Sequence, residues 1–364
     1  MKKILCVVGT RPEAIKMVPV ILALRSAGWA EVRVLATAQH RAMLDQVLGF
    51  FNIVPDYDLN VMRPNQNLTD LTARLLTGVG QILDEEKPDV VLVQGDTTTV
   101  MAATLAAFYR HIPVGHVEAG LRTGDIQNPF PEEANRALTA RIARWHFAPT
   151  ESSKANLLAE NIEESAITVT GNTVIDTLLM MAERNIDLGI SLPEHRRLVL
   201  VTSHRRENFG EPIKRVCSAI KKLAVDNPDV CILYPVHPNP NVKHVAEELL
   251  GNVPNVVLCD PLDYAPFVAA MKRAHFIISD SGGVQEEAPA LGKPVLVLRQ
   301  ETERPEAVTD GVVKLVGTDF RKIVSEAQNL LDNSFAYDEM ARGVSPYGDG
   351  NASKRIVEVL SLTI

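Results

Sequence analysis

The chain has 364 residues, 46% hydrophobic and 23% charged, a length and composition that suit a globular protein of two domains. Its formal net charge of −8 excludes a broad nucleic-acid-binding face and adhesion to an anionic membrane, but leaves room for a small anionic ligand in a locally basic pocket. The four cysteines, Cys6, Cys217, Cys231 and Cys259, form no C-x-x-C pair, so zinc and redox motifs are absent and reduced core cysteines of a cytoplasmic protein are expected.

The first predicted strand, 3–8, is too short for the apolar core of a secretory leader, which needs roughly 7–15 residues, and no stretch approaches the ~20 apolar residues of a membrane span. A helix over 12–27 follows, then strand 31–36, helix 68–86, strand 89–94, helix 97–110, strand 113–117, helix 131–144 and strand 145–148. Runs such as Val90-Val91-Leu92-Val93 are apolar without alternation, as strands of a parallel sheet covered on both faces are. After a polar segment at 185–197 the rhythm restarts with strand 198–202, helix 211–225, strand 230–234, helix 242–250 and strand 256–258. Strand 275–279, helix 283–291, strand 294–298, helix 320–331 and a last helix at 352–362 complete the chain. Strands alternating with helices make βαβ units, so the expected class is α/β, two doubly wound Rossmann-like domains facing a cleft. The expected domains are 1–170 and 171–350, divided in a linker around 171–197.

Open α/β sheets bind ligands beyond the carboxyl ends of their strands, and the chemically capable residues fall there. Gly9-Thr10-Arg11-Pro12-Glu13 follows the first strand, Gly95-Asp96-Thr97 the third, and His116-Val117-Glu118-Ala119-Gly120 closes the fourth. In the second half Ser203-His204-Arg205 ends the first strand, Pro235-Val236-His237 the second and Asp280-Ser281-Gly282-Gly283 the fourth, with 299–306 after the fifth. The passage from strand through two glycines into a helix at 280–287 is the clearest ligand signal. Glycines admit a phosphate to the backbone, and a helix start offers N–H groups carrying partial positive charge. Glu286 or Glu287 then suits ribose hydroxyls. The same residues also read as an Asp/Ser helix cap with turn glycines.

Other residues carry two readings each. Arg11 and Lys16 suit a diphosphate or plain solvation. Asp96 is an acid–base group or the N-cap of the next helix, and Glu132 an acid–base group or an ordinary first-turn acid. Glu118, ending an apolar strand, is expected to be partly desolvated, a setting that suits proton transfer; a structural ion pair is the other reading. His204 and His237 sit at ligand-facing strand ends, and Arg205-Arg206 reads as a phosphate clamp or an exposed pair.

Taken together, the strings GTRPEAIKMVPV, TAQHRAMLDQVL, GDTTT, GHVEAGLRTGD, PEEANR, TSHRRENFG, YPVHPNPNV, DSGGVQEEAPALGKPVLVLR, TERPEAV and SPYGDG resemble the bacterial non-hydrolysing UDP-N-acetylglucosamine 2-epimerases, from about residue 3 to the last helix. That resemblance implies a fold similar to the GT-B glycosyltransferases, with the last helix, 351–364, packing back on the N-terminal domain and the C-terminal domain binding UDP. It implies a cytoplasmic homodimer that works without NAD or a metal. It places Asp96, Glu118 and Glu132 as catalytic carboxylates and His204 as an active-site histidine. Arg11, Lys16, Ser281, Gly282, Gly283, Glu287 and Arg304 match nucleotide-diphosphate contacts, and Phe267 a uracil contact, with Leu262 at a second uracil position where a relative has Gln. Some members bind a second substrate molecule near Gln39, Gln66, Arg205 and His237; those members carry polar or basic residues where this chain has Ala42 and Asn65. The implied reaction is reversible: UDP leaves carbon 1 as the carbon-2 proton is removed, a 2-acetamidoglucal forms, and re-addition gives UDP-N-acetylmannosamine for cell-surface polysaccharide. A GT-B glycosyltransferase, a hydrolysing epimerase and a catalytically dead nucleotide-sugar sensor are the competing readings.

Overall fold

The structure, a computed structural model, describes residues 1–37, 41–63, 66–193, 196–302 and 304–364. The chain divides into two compact units, Met1–Thr177 with Tyr347–Ile364, and Leu178–Pro346. The first unit runs β1 (Lys2–Val8), α1 (Arg11–Ser26), β2 (Ala30–Ala36), α2 (Arg41–Phe50), β3 (Tyr57–Asp58), α3 (Leu68–Glu86) and β4 (Val90–Gln94). It continues through α4 (Thr98–Phe108), β5 (Val114–Val117), α5 (Glu132–Ile142), β6 (Trp145–Ala148), α6 (Glu151–Ala159), β7 (Ile167–Val169) and α7 (Thr173–Ala182). All its strands are parallel, in the order β3-β2-β1-β4-β5-β6-β7. The order reverses between β1 and β4, the crevice where doubly wound sheets take ligands.

The second unit runs β8 (Arg197–Thr202), α8 (Glu211–Asp226), β9 (Val230–Pro235), α9 (Pro240–Leu250), β10 (Val256–Cys259), α10 (Tyr264–Arg273) and β11 (Phe276–Ser279). Then follow α11 (Gly282–Ala290), β12 (Val295–Val297), α12 (Pro305–Thr309), β13 (Val313–Leu315), α13 (Phe320–Asp332) and α14 (Ser334–Met340). Its strands are also parallel, ordered β10-β9-β8-β11-β12-β13, with the reversal between β8 and β11. The last helix, α15 (Ala352–Thr363), belongs to the first unit and packs on α1.

Local chemistry explains the elements. Thr10 and Glu13 form a reciprocal capping box at the start of α1, with Pro12 in its first turn. Asn67 caps α3, left-handed Lys87 ends it, and Leu71, Leu75, Val79 and Leu83 give it one buried stripe. Leu5, Val7, Val91 and Val93 from β1 and β4 pack against Val100 and Ala103 of α4 in one core, while Val199, Val201, Ile232 and Ile278 meet Ile213, Val216 and Ile220 of α8 in the other. The alternate residues Ile4, Cys6, Val90 and Leu92 of the first sheet and Leu198, Leu200, Leu233 and Ile277 of the second are buried as well, so both faces of each sheet are covered, as uninterrupted apolar strands require. Asp176 of α7 accepts hydrogen bonds from the backbone N–H of Ala352 (3.2 Å) and Ser353 (2.8 Å) and from the Ser353 hydroxyl (2.6 Å), so it anchors the start of α15.

Two expectations need revising. The segment 171–197 is not simply a linker, because α7 occupies its first part and buries Val174, Ile175, Leu178 and Met181; the divide between units falls inside that helix. The elements α2, β3, α6, β7, α10, α12, β13 and α14 were not anticipated by the strand and helix pattern. Cys6, Cys217 and Cys231 are buried, Cys259 is half-buried, and all four are free. Burial pushes the Cys6 and Cys217 thiols up to about 12, so they pack as inert apolar groups. Among the described residues no helix is long and apolar enough to cross a membrane.

Candidate active site

In the first unit, the loops after β1, β4 and β5 meet. Gly9 follows β1 at a point with no room for a side chain: a Cβ there would lie 2.6 Å from both Thr37 Oγ1 and Thr99 Oγ1. Glu13, fully buried beneath that turn, accepts from the backbone N–H of Gly9 and Thr10 with one oxygen and from the Thr97 hydroxyl with the other. It thus ties the turn that carries Arg11 to the turn that carries Asp96. Burial raises the Glu13 carboxyl to about 7 despite those three donors, with the Asp96 charge adding to the rise.

Asp96 is not the cap of α4, contrary to one of its two readings; Thr97 is, its hydroxyl accepting from the Val100 N–H. Asp96 instead receives the Arg136 guanidinium at 2.9 Å, and its backbone carbonyl accepts from the Asn135 side chain at 2.9 Å. Burial raises the Asp96 carboxyl; Arg136 and Lys16 oppose the rise and Glu118 adds to it. Glu118 stands just past β5 in the left-handed region, φ 64°, an unusual backbone setting for a side chain of that size. Its side chain is 7% exposed and takes three donors: Lys16 and Gln94 in short contacts, and Asn172 at 3.1 Å. The ion-pair reading and the partly desolvated setting therefore both hold at Glu118. A Cβ on Gly95 would lie 3.8 Å from its Oε2, so the β4 and β5 loops are in direct contact.

Glu132 opens α5, half-buried, and forms no hydrogen bond or ion pair among the described residues. Its neighbour Glu133 is the tied one, bonded to the Thr123 and Gly124 N–H groups and to Arg136. Arg11, half-exposed at the start of α1, likewise forms no bond among the described residues. Gln66, before α3, is engaged with Arg74, Met62 and the Arg63 N–H. Gln39 and Asn65 lie outside the described residues, as does the side chain of Ala42.

In the second unit, the ends of β8 and β11 are locked together. Asp280, completely buried, does not cap α11; it turns back to the loop after β8 and accepts from Ser203, His204, Arg205 and Asn208. Burial alone would raise its carboxyl, yet the hydrogen bonds from His204, the Arg205 N–H and Asn208 hold it down at about 2. The His204 and His237 rings, from adjacent strands, lie 6.3 Å apart between centroids. Arg205 is fixed through its backbone, with its side chain half-exposed.

Helix α11 begins at Gly282 with Ser281 as N-cap, and no side chain caps its first N–H groups. That leaves an anion-accepting helix start. Arg304 borders it: a Cβ on Gly282 would come 3.1 Å from its Cζ, and its Nε donates to Glu286 at 2.8 Å. A Cβ on Gly283 would lie 3.4 Å from Glu287 Oε1, and the other Glu287 oxygen accepts from the Tyr264 hydroxyl at 2.9 Å. Phe267 sits on α10 one turn beyond Tyr264, half-buried, and Leu262 is half-buried just before that helix.

The sequence pattern passed over Glu13, Gln94, Arg136, Asn172, Asp280 and Tyr264 as individual participants. Only Glu13 carried a local signal, the Thr-x-x-Glu spacing of a capping box. Among the described residues no group of three or more His, Cys, Asp or Glu is placed to hold a metal.

Two parallel sheets with reversed strand order, each with polar groups gathered at its reversal point, define a two-unit Rossmann-like protein with the GT-B glycosyltransferase type of fold. The glycotransferase of kitacinnamycin, 13% identical, superposes with a TM-score of 0.68 over 99% of this chain and 98% of its own, a likeness of fold alone. A family profile described as UDP-N-acetylglucosamine 2-epimerase matches residues 22–361. The UDP-N-acetylglucosamine 2-epimerase of Escherichia coli K12 is 55% identical over 368 residues, 98% of each chain. The crystal structure of UDP-GlcNAc 2-epimerase from Neisseria meningitidis bound to UDP-GlcNAc is 51% identical, with a TM-score of 0.87 over 99% of this chain and 100% of that one. The Methanocaldococcus jannaschii UDP-GlcNAc 2-epimerase, at 35% identity and 99% of each chain, also gives 0.87. The chain belongs to the UDP-N-acetylglucosamine 2-epimerase family.

Proposed function

We propose that this chain reversibly interconverts UDP-N-acetylglucosamine and UDP-N-acetylmannosamine by eliminating UDP and adding it back. The observation that carries the proposal is the pairing of Asp96 and Glu118 at adjacent strand ends, two carboxylates under one set of cations, Lys16 and Arg136. Carbon 2 of the sugar has no neighbouring ring carbonyl, so its proton is not acidic enough for simple abstraction. Departure of UDP from carbon 1 solves this. As the C1–O bond breaks, a carboxylate takes the carbon-2 proton, the electron pair of that C–H bond becomes the C1=C2 double bond, and the diphosphate leaves with the C1–O pair. A proton delivered to the opposite face of carbon 2, with return of the diphosphate oxygen to carbon 1, gives the epimer.

Two carboxyl groups and a third at Glu132 supply the proton carriers that transfer on two faces requires, each contributing on the order of 10²–10⁴-fold. The open N–H groups at the start of α11, bordered by Arg304, suit the leaving diphosphate. Phe267 and Glu287 suit the uridine. No NAD and no metal enters any step. The protein acts in the cytoplasm as a homodimer, and its product is a precursor of cell-surface polysaccharide; four unpaired cysteines suit that reducing compartment.

Incubation with UDP-N-acetylglucosamine alone in deuterated water, followed by NMR, tests the reading. The expected product is UDP-N-acetylmannosamine carrying deuterium at carbon 2. Product without deuterium overturns the proton-transfer scheme. Free N-acetylmannosamine indicates a hydrolysing enzyme, and no turnover indicates a transferase or a sensor.

A further inference from the structure

The buried Asp280 carboxylate is surrounded by donors. Its Oδ2 accepts from the Ser203 hydroxyl at 2.9 Å, the His204 N–H at 2.9 Å, the Arg205 N–H at 3.0 Å and the Asn208 side-chain amide at 3.0 Å. Its Oδ1 faces His204 Nδ1 at 2.9 Å, with the His204 N–H shared at 3.1 Å. With four donors converging on Oδ2 the carboxyl is held ionised, so Asp280 accepts at both oxygens and the Nδ1 that faces Oδ1 at 2.9 Å must carry the hydrogen between them. Free histidine prefers the other tautomer, with hydrogen on Nε2. His237 shows that ordinary arrangement nearby: its Nδ1 accepts from the Asn239 N–H at 3.2 Å, so the hydrogen of its neutral ring sits on Nε2. Two imidazoles on neighbouring strand ends are thus held in opposite forms.

We infer that Asp280 is a positioning residue that fixes His204 with Nδ1–H committed to the carboxylate and Nε2 open to the ligand. Among the described residues nothing bonds Nε2, and the His204 side chain is 47% exposed. The neutral ring presents a lone pair outward. When that nitrogen takes a proton, the imidazolium is balanced by Asp280, which stays ionised with its carboxyl near 2. What the proton then serves rests on the epimerase reading: a charged Nε2–H donor for the departing or returning diphosphate oxygen. The tautomer itself rests on the geometry alone.

The wild-type protein labelled with ¹⁵N-histidine is examined by long-range ¹H–¹⁵N NMR at about pH 9, well above the ~6.5 of an ordinary imidazole, with His204 signals assigned by their loss in His204→Gln. The expected result is a protonated Nδ1 and a bare Nε2 at His204; an Nε2–H tautomer overturns the inference.

Asp280→Asn sharpens the test. The single amide oxygen must serve the four donors on the Oδ2 side, which turns the NH₂ toward the imidazole, makes Nδ1 an acceptor and drives the hydrogen to Nε2. A folded Asp280→Asn protein is expected to show the inverted tautomer and a kcat lowered about 10²-fold or more, as when a histidine is held in the wrong tautomer. UDP affinity by calorimetry is expected to change by less than about threefold, since a turnover effect separated from binding marks a group used in the reaction. An unchanged tautomer or near-normal turnover in that protein overturns the inference. If Asp280→Asn does not fold, the wild-type spectrum decides alone. If the wild type shows the expected tautomer and no epimerisation, the activity reading fails and the positioning of His204 stands.

Discussion

Glu118 in the first unit and Asp280 in the second are nearly or fully enclosed carboxylates at the ligand end of a parallel sheet, and they are held in contrasting ways. Among the described residues Glu118 is met only by side chains, Lys16, Gln94 and Asn172, drawn from α1, β4 and the approach to α7. Asp280 is gripped by one loop, through two backbone N–H groups and three side chains of residues 203–208. Side-chain donors can reorient when a carboxylate gains a proton, whereas a backbone cradle cannot. On the proposed mechanism the side-chain setting suits Glu118 to pass a proton, while the backbone cradle keeps Asp280 an acceptor.

The largest expected effect breaks this contrast on the Glu118 side. Glu118→Gln keeps the shape and loses the proton carrier, so turnover should fall about 10³-fold with UDP binding retained. Near-normal turnover in a coupled assay would reduce Glu118 to a structural partner of Lys16.

The next concerns pH. Glu13 has a folded value of about 7 against 4.5 unfolded, so the native state binds more protons between those values. Its contribution is fully present below about pH 4.5 and is lost as pH rises through 7, by at most about 3 kcal/mol. Asp280, held near 2 against 3.8, has the opposite sign: its contribution is present above 3.8 and is lost as pH falls toward 2. His116 and His146, lowered by burial to about 4, also favour the native state as pH rises from 4 to 6.5, but they cancel in a comparison of two variants. Glu13→Gln keeps an oxygen for the Gly9 and Thr10 N–H groups and offers its amide to Thr97. Urea titrations from pH 4.5 to 7.5 should therefore show wild-type stability falling relative to the variant. A constant difference would show that Glu13 stays ionised throughout.

A smaller effect is expected at Lys16→Gln, which leaves a 7% exposed Glu118 side chain without its cation while Gln94 and Asn172 remain. Removing one partner of an enclosed pair costs 3–5 kcal/mol; with Lys16 itself 17% exposed, about 2 kcal/mol is expected from the urea midpoint. The smallest is Asp176→Ala, which removes the anchor of α15 and should cost about 1 kcal/mol in thermal denaturation.

Much of this arrangement was legible from residue types. Helix 68–86 and strand 145–148 occupy the predicted residues, and each has a boundary residue visible in the sequence: Asn67 before the helix and Pro88 after it, and Pro149 after the strand. Helix α7 was hidden because its sequence TVIDTLLMMA is apolar nearly all round, and helix α10 because Pro266 reads as a breaker although it stands in the first turn, where proline is tolerated. At the site, Asp96 and Glu118 stood out as charges after apolar strands. The cap is Thr97 rather than Asp96, one residue later than the charge suggests, after a turn at Gly95 with φ 83° that the residue types alone do not locate. Asp280 carries no local mark of its role, since every side chain it orders lies more than seventy positions earlier.

The divide inside α7 and the return at Tyr347 also bear on how the protein is made. The first unit is not a continuous stretch of chain: its final helix leaves the ribosome only after the whole of Leu178–Pro346. Domains commonly fold in the order of synthesis, N-terminal first. Here the N-terminal unit must wait for the last helix to be made, with α1 lacking its α15 partner and Asp176 lacking the helix start it anchors. The unit begun first is therefore among the last to be finished, and a chain cut after Pro346 would keep every element of the second unit but lack the helix that closes the first.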